Sequence, residues 1–236
     1  QMPTSEELPS IPSSVLPVAE EKLLSEETTV LSDQSVAMPA VIISTVVRDV
    51  PFTAQAPFGE WGDPMFQNGC EEAALVMAAH WISGILLTKE KAKQEIVALS
   101  LFEKRKRGHF IDTSAEDTRK LFEEYYGITT TTLQTDITIM DIQKGVASGA
   151  IVIVPADGRK LHNPYFTQPG PITHMLLIIG YDTKTQEFIV NDPGTKNGKG
   201  YRYDENILYA AIRDYPTGNH LPITEMRKNM VIVRKP

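Results

Sequence analysis

A chain of 236 residues, 42% hydrophobic and 22% charged, has the length and balance of one sizeable globular domain. Its formal net charge of -7 is uneven: residues 1–40 hold seven acids against one base, so the remainder is nearly neutral and carries no nucleic-acid footprint. A single cysteine excludes an intrachain disulfide, and no run reaches the roughly eighteen apolar residues of a membrane span.

In chain order, residues 1–39 are rich in Pro, Ser, Glu and Thr and have no aromatic residue ("LPSIPSSVLPVAEEKLLSEETTVLSDQ"). Such a segment buries too little to offset chain entropy and is expected to be a disordered linker or tail, leaving residues 40–236 as the domain. No basic n-region or apolar core marks a signal peptide. The first residue is Gln1 rather than Met, which is compatible with a trimmed product such as an exported or cell-surface protein whose signal has been removed.

The β-branched run Ala40 to Val47 predicts a strand. A loop rich in Gly, Pro and aromatic residues follows, and the spacing of Leu75, Val76, Ala79 and Ile82 predicts a helix from Cys70 to about Ile82. Thr88 opens a second predicted helix that ends in the run Lys104 to Arg107, where positive charge suits the helix dipole. Ser114 and Asp117 form a variant capping box for a third, stopped by Gly127, and "TIMDIQKGVASG" reads as a fourth. Four strands are then expected: "AIVIVPA", "ITHMLLIIGYD", "EFIVNDPG" and "NMVIVRKP". Helices first and strands afterwards argue for α+β, with N-terminal helices packed on a C-terminal antiparallel sheet.

Three features carry chemistry. Cys70 stands at a helix start after Asn68 and Gly69, both suited to the backbone geometry there, and first-turn N–H groups favour a thiolate. Glu71 and Glu72 oppose it, so a cationic partner has to activate the sulfur. His174 lies in an apolar strand whose return strand ends at Asp192, eighteen residues on. A hairpin centred near Thr183 would set the two opposite each other, and the even separation permits one face for both. An acid beside an imidazole fixes its tautomer and stabilises the imidazolium. An acyl-transfer site also needs an oxyanion donor, and Gln55 is preferred over Gln67. The loop from His162 to Thr173 immediately precedes His174, and its Tyr165 and Phe166 are candidates for a cleft wall. Trp61, Asn68, Gly69, Tyr165 and Thr173 complete the candidate substrate contacts. The remaining histidines (His80, His109, His162 and His220) make no metal pattern, so neither a metal nor a cofactor is expected.

Together, "VPFTAQAPFGEW", "GCEEAALVMAAHW", "THMLLIIGYD" and "FIVNDPG" resemble the free-standing relatives of bacteriocin-processing cysteine peptidases, family thirty-nine of the papain-like clan, over about residues 48 to 215. The resemblance implies a papain-like fold, with Cys70 as nucleophile, His174 as general base, Asp192 as its orienting acid and Gln55 as oxyanion residue. The implied substrate is a peptide or protein, with no nucleic-acid partner, and the expected state is a monomer. Two departures stand out. Glu71-Glu72 replaces the Gly-Pro that follows the cysteine in many members, and the Gln-to-Cys spacing is longer than in the transporter-fused enzymes. No P-loop is present, so the chain is not expected to be the transporter-fused leader peptidase. An acyl transferase using the same residues, or a non-catalytic peptide-binding module on the same fold, would carry the same signature.

Overall fold

The computed structural model describes residues 45–218, 223 and 226–236. The tail expected over residues 1–39, and most of the strand expected from Ala40, lie outside the described residues; of that strand, β1 (Val46–Val47) is described.

The helices start and stop where side chains dictate. A short helix, α1 (Pro64–Gln67), is capped by Asp63, with Pro64 supplying the preset φ of a first helical residue. The next helix, α2 (Cys70–Ser83), ends at Gly84, whose φ of 68° is one a residue with a Cβ adopts only under strain. Thr88 caps α3 (Lys89–Arg107), and the basic run Lys104 to Arg107 forms its last turn. Ser114 caps α4 (Ala115–Tyr126), and a complete capping box between Thr138 and Asp141 opens α5 (Ile139–Ala147).

The strands are β2 (Thr131–Gln134), β3 (Ile151–Ala156), β4 (His174–Asp182), β5 (Glu187–Asn191), β6 (Tyr201–Asp204) and β7 (Met230–Val233); a last helix, α6 (Glu205–Ala211), follows β6. They form one seven-stranded sheet in the order β2-β7-β3-β4-β5-β6, with β1 also paired to β4. Every described pairing is antiparallel.

Both faces of the sheet are covered. Ile151, Ile153, Met175, Leu177, Ile179 and Val231 pack with the apolar side chains of α2, α3 and α4. Val152, Val154, Leu176, Ile178, Val190 and Ile232 pack with those of α5 and α6. This burial on both sides explains why β3 and β4 read as unbroken apolar runs, which an antiparallel sheet wet on one face would not show. The α+β expectation therefore holds, and the second helical layer is an addition to it.

The β4–β5 hairpin differs from the predicted one in a way that matters for the site. Asp182 pairs with Glu187, which centres the turn between Lys184 and Thr185 rather than near Thr183. A straight ladder from that turn would set Asp192 opposite Leu177, on the wrong face for His174. Between Ile178 and Gly180 the register shifts, with Ile179 the extra residue, so that Ile178 pairs with Val190 and Leu177 with Asn191. Asp192 then follows opposite Leu176, on the face that also carries His174. The carbonyl of the extra residue is satisfied by the N–H of Arg48 at 2.8 Å.

Candidate active site

His174, the first residue of β4, and Asp192, just beyond the end of β5, form a buried pair with Nε2 2.7 Å from Oδ1. Three further donors converge on this carboxylate. The backbone N–H of Gly194 donates to Oδ1 at 2.9 Å, the Tyr203 hydroxyl to Oδ2 at 2.6 Å and the Asn163 amide to Oδ2 at 3.1 Å. Burial alone would raise the pKa of Asp192, but the charge and hydrogen bond of His174, then the bond from Tyr203, hold it below its ordinary value. With Nε2–H donated to the acid, the neutral ring keeps its lone pair on Nδ1. Phe166 stands edge-on to the imidazole, with ring centroids 5.3 Å apart. Gly194 packs against both rings: a Cβ there would lie 2.8 Å from Cε1 of His174 and 2.9 Å from Cε1 of Phe166, so only a residue without a side chain leaves them in position.

The thiol side is built differently. Gly69 passes so close to the preceding turn that a Cβ would meet the Met65 carbonyl at 2.7 Å, and this close approach lets α2 begin at Cys70 directly after α1. Cys70 is buried, and its thiol donates to Oε2 of Glu71 at 3.0 Å. No hydrogen bond joins Sγ to the His174 ring among the described residues. Oε1 of Glu71 in turn accepts from the Thr113 N–H at 3.1 Å and the Tyr215 hydroxyl at 2.8 Å, and that hydroxyl also lies 3.3 Å from the carbonyl oxygen of His174. Glu72, likewise buried, accepts from Ser100 at 2.8 Å. Burial pushes the Cys70 thiol well above its ordinary pKa, and the charge and hydrogen bond of Glu71, then the charges of Asp112 and Glu72, push it further. Glu71 is itself raised, chiefly by burial, and Glu72 is raised well above its usual value by burial and by the charge of Glu71.

Cys70 and His174 line one cleft of about 640 Å³, together with Gln55, Trp61, Gln67, Asn68, Asp112 and Thr173 among others. The backbone N–H of Gln55 donates to the Pro193 carbonyl at 2.9 Å, tying this segment to the turn after Asp192. Its side-chain amide donates to the carbonyls of Phe66 at 3.0 Å and Gln67 at 2.8 Å, while Oε1 is buried without a partner. Both amide protons are therefore engaged, and donation to an oxyanion requires one of them to leave its carbonyl.

The candidate substrate contacts divide. Trp61 lines the cleft and is 40% exposed. Thr173 lines it with its hydroxyl donated to Oδ1 of Asp112 at 2.6 Å, and Asn68 lines it with its amide donated to the Pro64 carbonyl at 2.8 Å, so both are held by the scaffold. Gly69 shapes the start of α2 rather than the cleft wall, and Tyr165 lines an adjoining cavity. Asn163, Tyr203, Gly194, Tyr215 and Asp112 are further members of the site that sequence reasoning missed. The "NDPG" ending was the one available signal for Gly194. His80, by contrast, closes the far end of α2 through Ile85 O and Glu95. Among the described residues no group of three or more His, Cys, Asp or Glu could hold a metal ion, and no helix is long and apolar enough to cross a membrane.

The family described as Peptidase C39 like matches residues 47–216, well over half of the chain, and the chain belongs to that family. Among solved structures, one from Bacillus anthracis described as C39-like is similar over 82% of this chain and 98% of its own, at 16% identity and a TM-score of 0.48. No curated protein matches.

Proposed function

We propose that this member of the Peptidase C39 like family is a cysteine peptidase in which Cys70 is the nucleophile, His174 the general base and Asp192 the acid that orients it, acting on a peptide substrate. One observation carries the reading: a buried imidazole–carboxylate pair at 2.7 Å on the wall of the same cleft as a thiol at a helix start.

In the proposed reaction the thiol first turns from Glu71 toward Nδ1 of His174, which takes its proton as the thiolate attacks the scissile carbonyl carbon. The developing oxyanion meets the N–H of Cys70, one of the first-turn groups with no intrahelical acceptor. Gln55 joins it by releasing one carbonyl, and Gln67 is the alternative donor. The imidazolium then protonates the leaving amine, and water, deprotonated by the same ring, hydrolyses the thioester. Asp192 stays ionised throughout, which its four donors favour.

The test is cleavage of an unbiased octapeptide mixture by the intact chain, read by mass spectrometry. The expected result is cleavage that stops after alkylation of Cys70 and is absent from Cys70→Ala and His174→Ala. Cleavage that persists in Cys70→Ala, or no cleavage by the intact chain, overturns the reading. A peptide-binding module is the second reading, favoured by one observation: the thiol rests on Glu71 rather than on the imidazole. Binding of the peptide mixture without turnover supports that alternative.

A further inference from the structure

We infer that the groove leading out of the Cys70 cleft past Trp61 is a substrate subsite for a peptide segment that carries an acidic side chain next to an apolar or aromatic one. The inference rests on the peptidase reading of Cys70 and His174 and names what that site selects.

The cleft does not end at the thiol. A second cavity of about 850 Å³ adjoins it and shares Trp61, Gln67, Thr167 and Gly194 with it, so one groove runs past the reacting groups. The aromatic side chains most exposed among the described residues are Phe58 at 53%, Tyr165 at 53% and Trp61 at 40%, and all three line this second cavity. Aromatic surface left open on two separate loops, the one before α1 and the one before β4, around one hollow is what a site for apolar side chains looks like before it is filled.

The charges there have one sign. Lys89 and Lys196 are the charged residues of the lining, and neither forms an ion pair with a carboxylate among the described residues. Both also line a smaller neighbouring cavity of about 220 Å³, so they stand between the two hollows. The nearby Lys93 is matched by Glu60 at 2.9 Å, which leaves Lys89 and Lys196 as the uncompensated cations of this wall. In a domain that is nearly neutral outside residues 1–40, two unmatched lysines beside one groove are a local excess of positive charge. They attract a carboxylate and repel a basic side chain.

The backbone positions of both lysines are set by elements that also build the site. Lys89 is the first residue of α3, held by the Thr88 cap, and its ammonium lies 5.8 Å from the centroid of the Phe58 ring. Lys196 sits in the turn that follows Asp192, which is closed by the Gly198 N–H on the Thr195 carbonyl at 3.2 Å and the Asp192 N–H on the Gly198 carbonyl at 3.0 Å. The turn that carries Lys196 therefore begins at Asp192, the partner of the imidazole.

The experiment uses the full chain and two labelled octapeptide mixtures that differ only in having Glu or Lys fixed at each position in turn. Turnover is measured with the intact chain, and binding by fluorescence anisotropy with Cys70→Ala. The Glu mixtures are expected to be cleaved and bound better on one side of the scissile bond, by about tenfold, the scale of two surface charges acting together. The double substitution Lys89→Glu and Lys196→Glu should abolish or invert that preference, read as the ratio of Glu-mixture to Lys-mixture turnover within the variant. Glu suits the first turn of α3, so the fold should be kept. Raising the salt to about 0.5 M should shrink the preference in the parent chain. Cleavage with no difference between Glu and Lys mixtures, or a preference untouched by the double substitution, overturns the subsite and leaves the peptidase reading standing. Lysine-dependent binding of Glu mixtures with no cleavage keeps the subsite and sinks the peptidase reading.

Discussion

Around Asp192 four hydrogen-bond donors converge on one carboxylate, whereas around Cys70 the carboxylates of Glu71, Glu72 and Asp112 surround one thiol. The two halves of the site are equally buried and electrostatically opposite. The sheet-borne half is satisfied as it stands: its acid is ionised, its imidazole is locked by that acid, by Phe166 and by the absence of a Cβ at Gly194. The helix-borne half is held back, with its proton directed at Glu71. Under the proposed reaction, the base already stands in position, whereas the thiol has still to be freed from its acidic surroundings.

Breaking either half outright should give the largest effects. Cys70→Ala and His174→Ala are each expected to lower peptide turnover by at least about 10³-fold, with the melting temperature nearly unchanged for the cysteine variant. Retained turnover in either would dissolve the comparison altogether. Next in size is Gly194→Ala, because the new methyl group would have to displace the imidazole it meets at 2.8 Å. A loss of about 100-fold is expected from a displacement on that scale, and an unchanged rate would show that the ring is not locked as described. Asp192→Asn should cost about 100-fold in turnover, the lower end of what general acid–base catalysis contributes, and also some stability, since an amide cannot accept from all four donors. Measured by thermal unfolding, a variant as stable as the parent would mean that those bonds contribute little.

A smaller effect probes the helix half. Glu71→Gln removes the nearest charge that raises the thiol while keeping the side chain's size, so alkylation of Cys70 by iodoacetamide should reach half-maximal rate at a lower pH than in the parent. A midpoint that stays put or rises would show that Glu71 does not restrain the sulfur.

The smallest expected effect is on stability, and here the two halves have opposite signs. The folded pKa of Asp192 lies below its unfolded value, so its contribution is present above that unfolded value, about 3.9, and is lost as pH falls through the folded pKa. Glu71 and Glu72 have folded values above the unfolded one, about 4.3. The folded chain therefore binds more protons in that window, and stability declines as pH rises through it. Glu72→Gln should raise the melting temperature relative to the parent by a few degrees at pH 8 and by less at pH 4. A difference that does not grow with pH would mean that Glu72 stays ionised without penalty.

The legibility of the sequence followed the same division. Long periodic or capped segments were readable: α3 from Thr88 and α4 between Ser114 and Gly127 lie where their cap residues indicated, and α5 lies within "TIMDIQKGVASG". The short elements were not. β2 ("TTLQ") and β6 ("YRYD") have too few apolar residues to show a period and owe their strand form to the neighbours they pair with. Cys70, His174 and Asp192 could be picked out because each is an anomaly in its segment: a lone thiol, a polar ring in an apolar strand, and an acid before Pro193. Their partners could not. Asn163 and Tyr203 lie 29 and 11 residues from Asp192, and no local pattern predicts side chains brought together by tertiary packing. Glu71 and Glu72 were legible as charges near the sulfur, but not as buried ones, because burial depends on Thr113, Ser100 and Tyr215 arriving from elsewhere in the chain.

The extra residue in β4 has a consequence for recognising such sites in other sequences. Eighteen residues separate His174 from Asp192 here only because Ile179 adds one to its strand without adding one to the partner. In a hairpin with the same turn and an unbroken ladder, the acid would reach the imidazole's face at a spacing of seventeen or nineteen. A search keyed to eighteen would pass over those arrangements, and would accept chains whose acid points away. What identifies the dyad is the parity of the spacing taken together with the number of bulges between its members, and an alignment that treats a one-residue gap in this strand as noise discards the information that decides which face the acid takes.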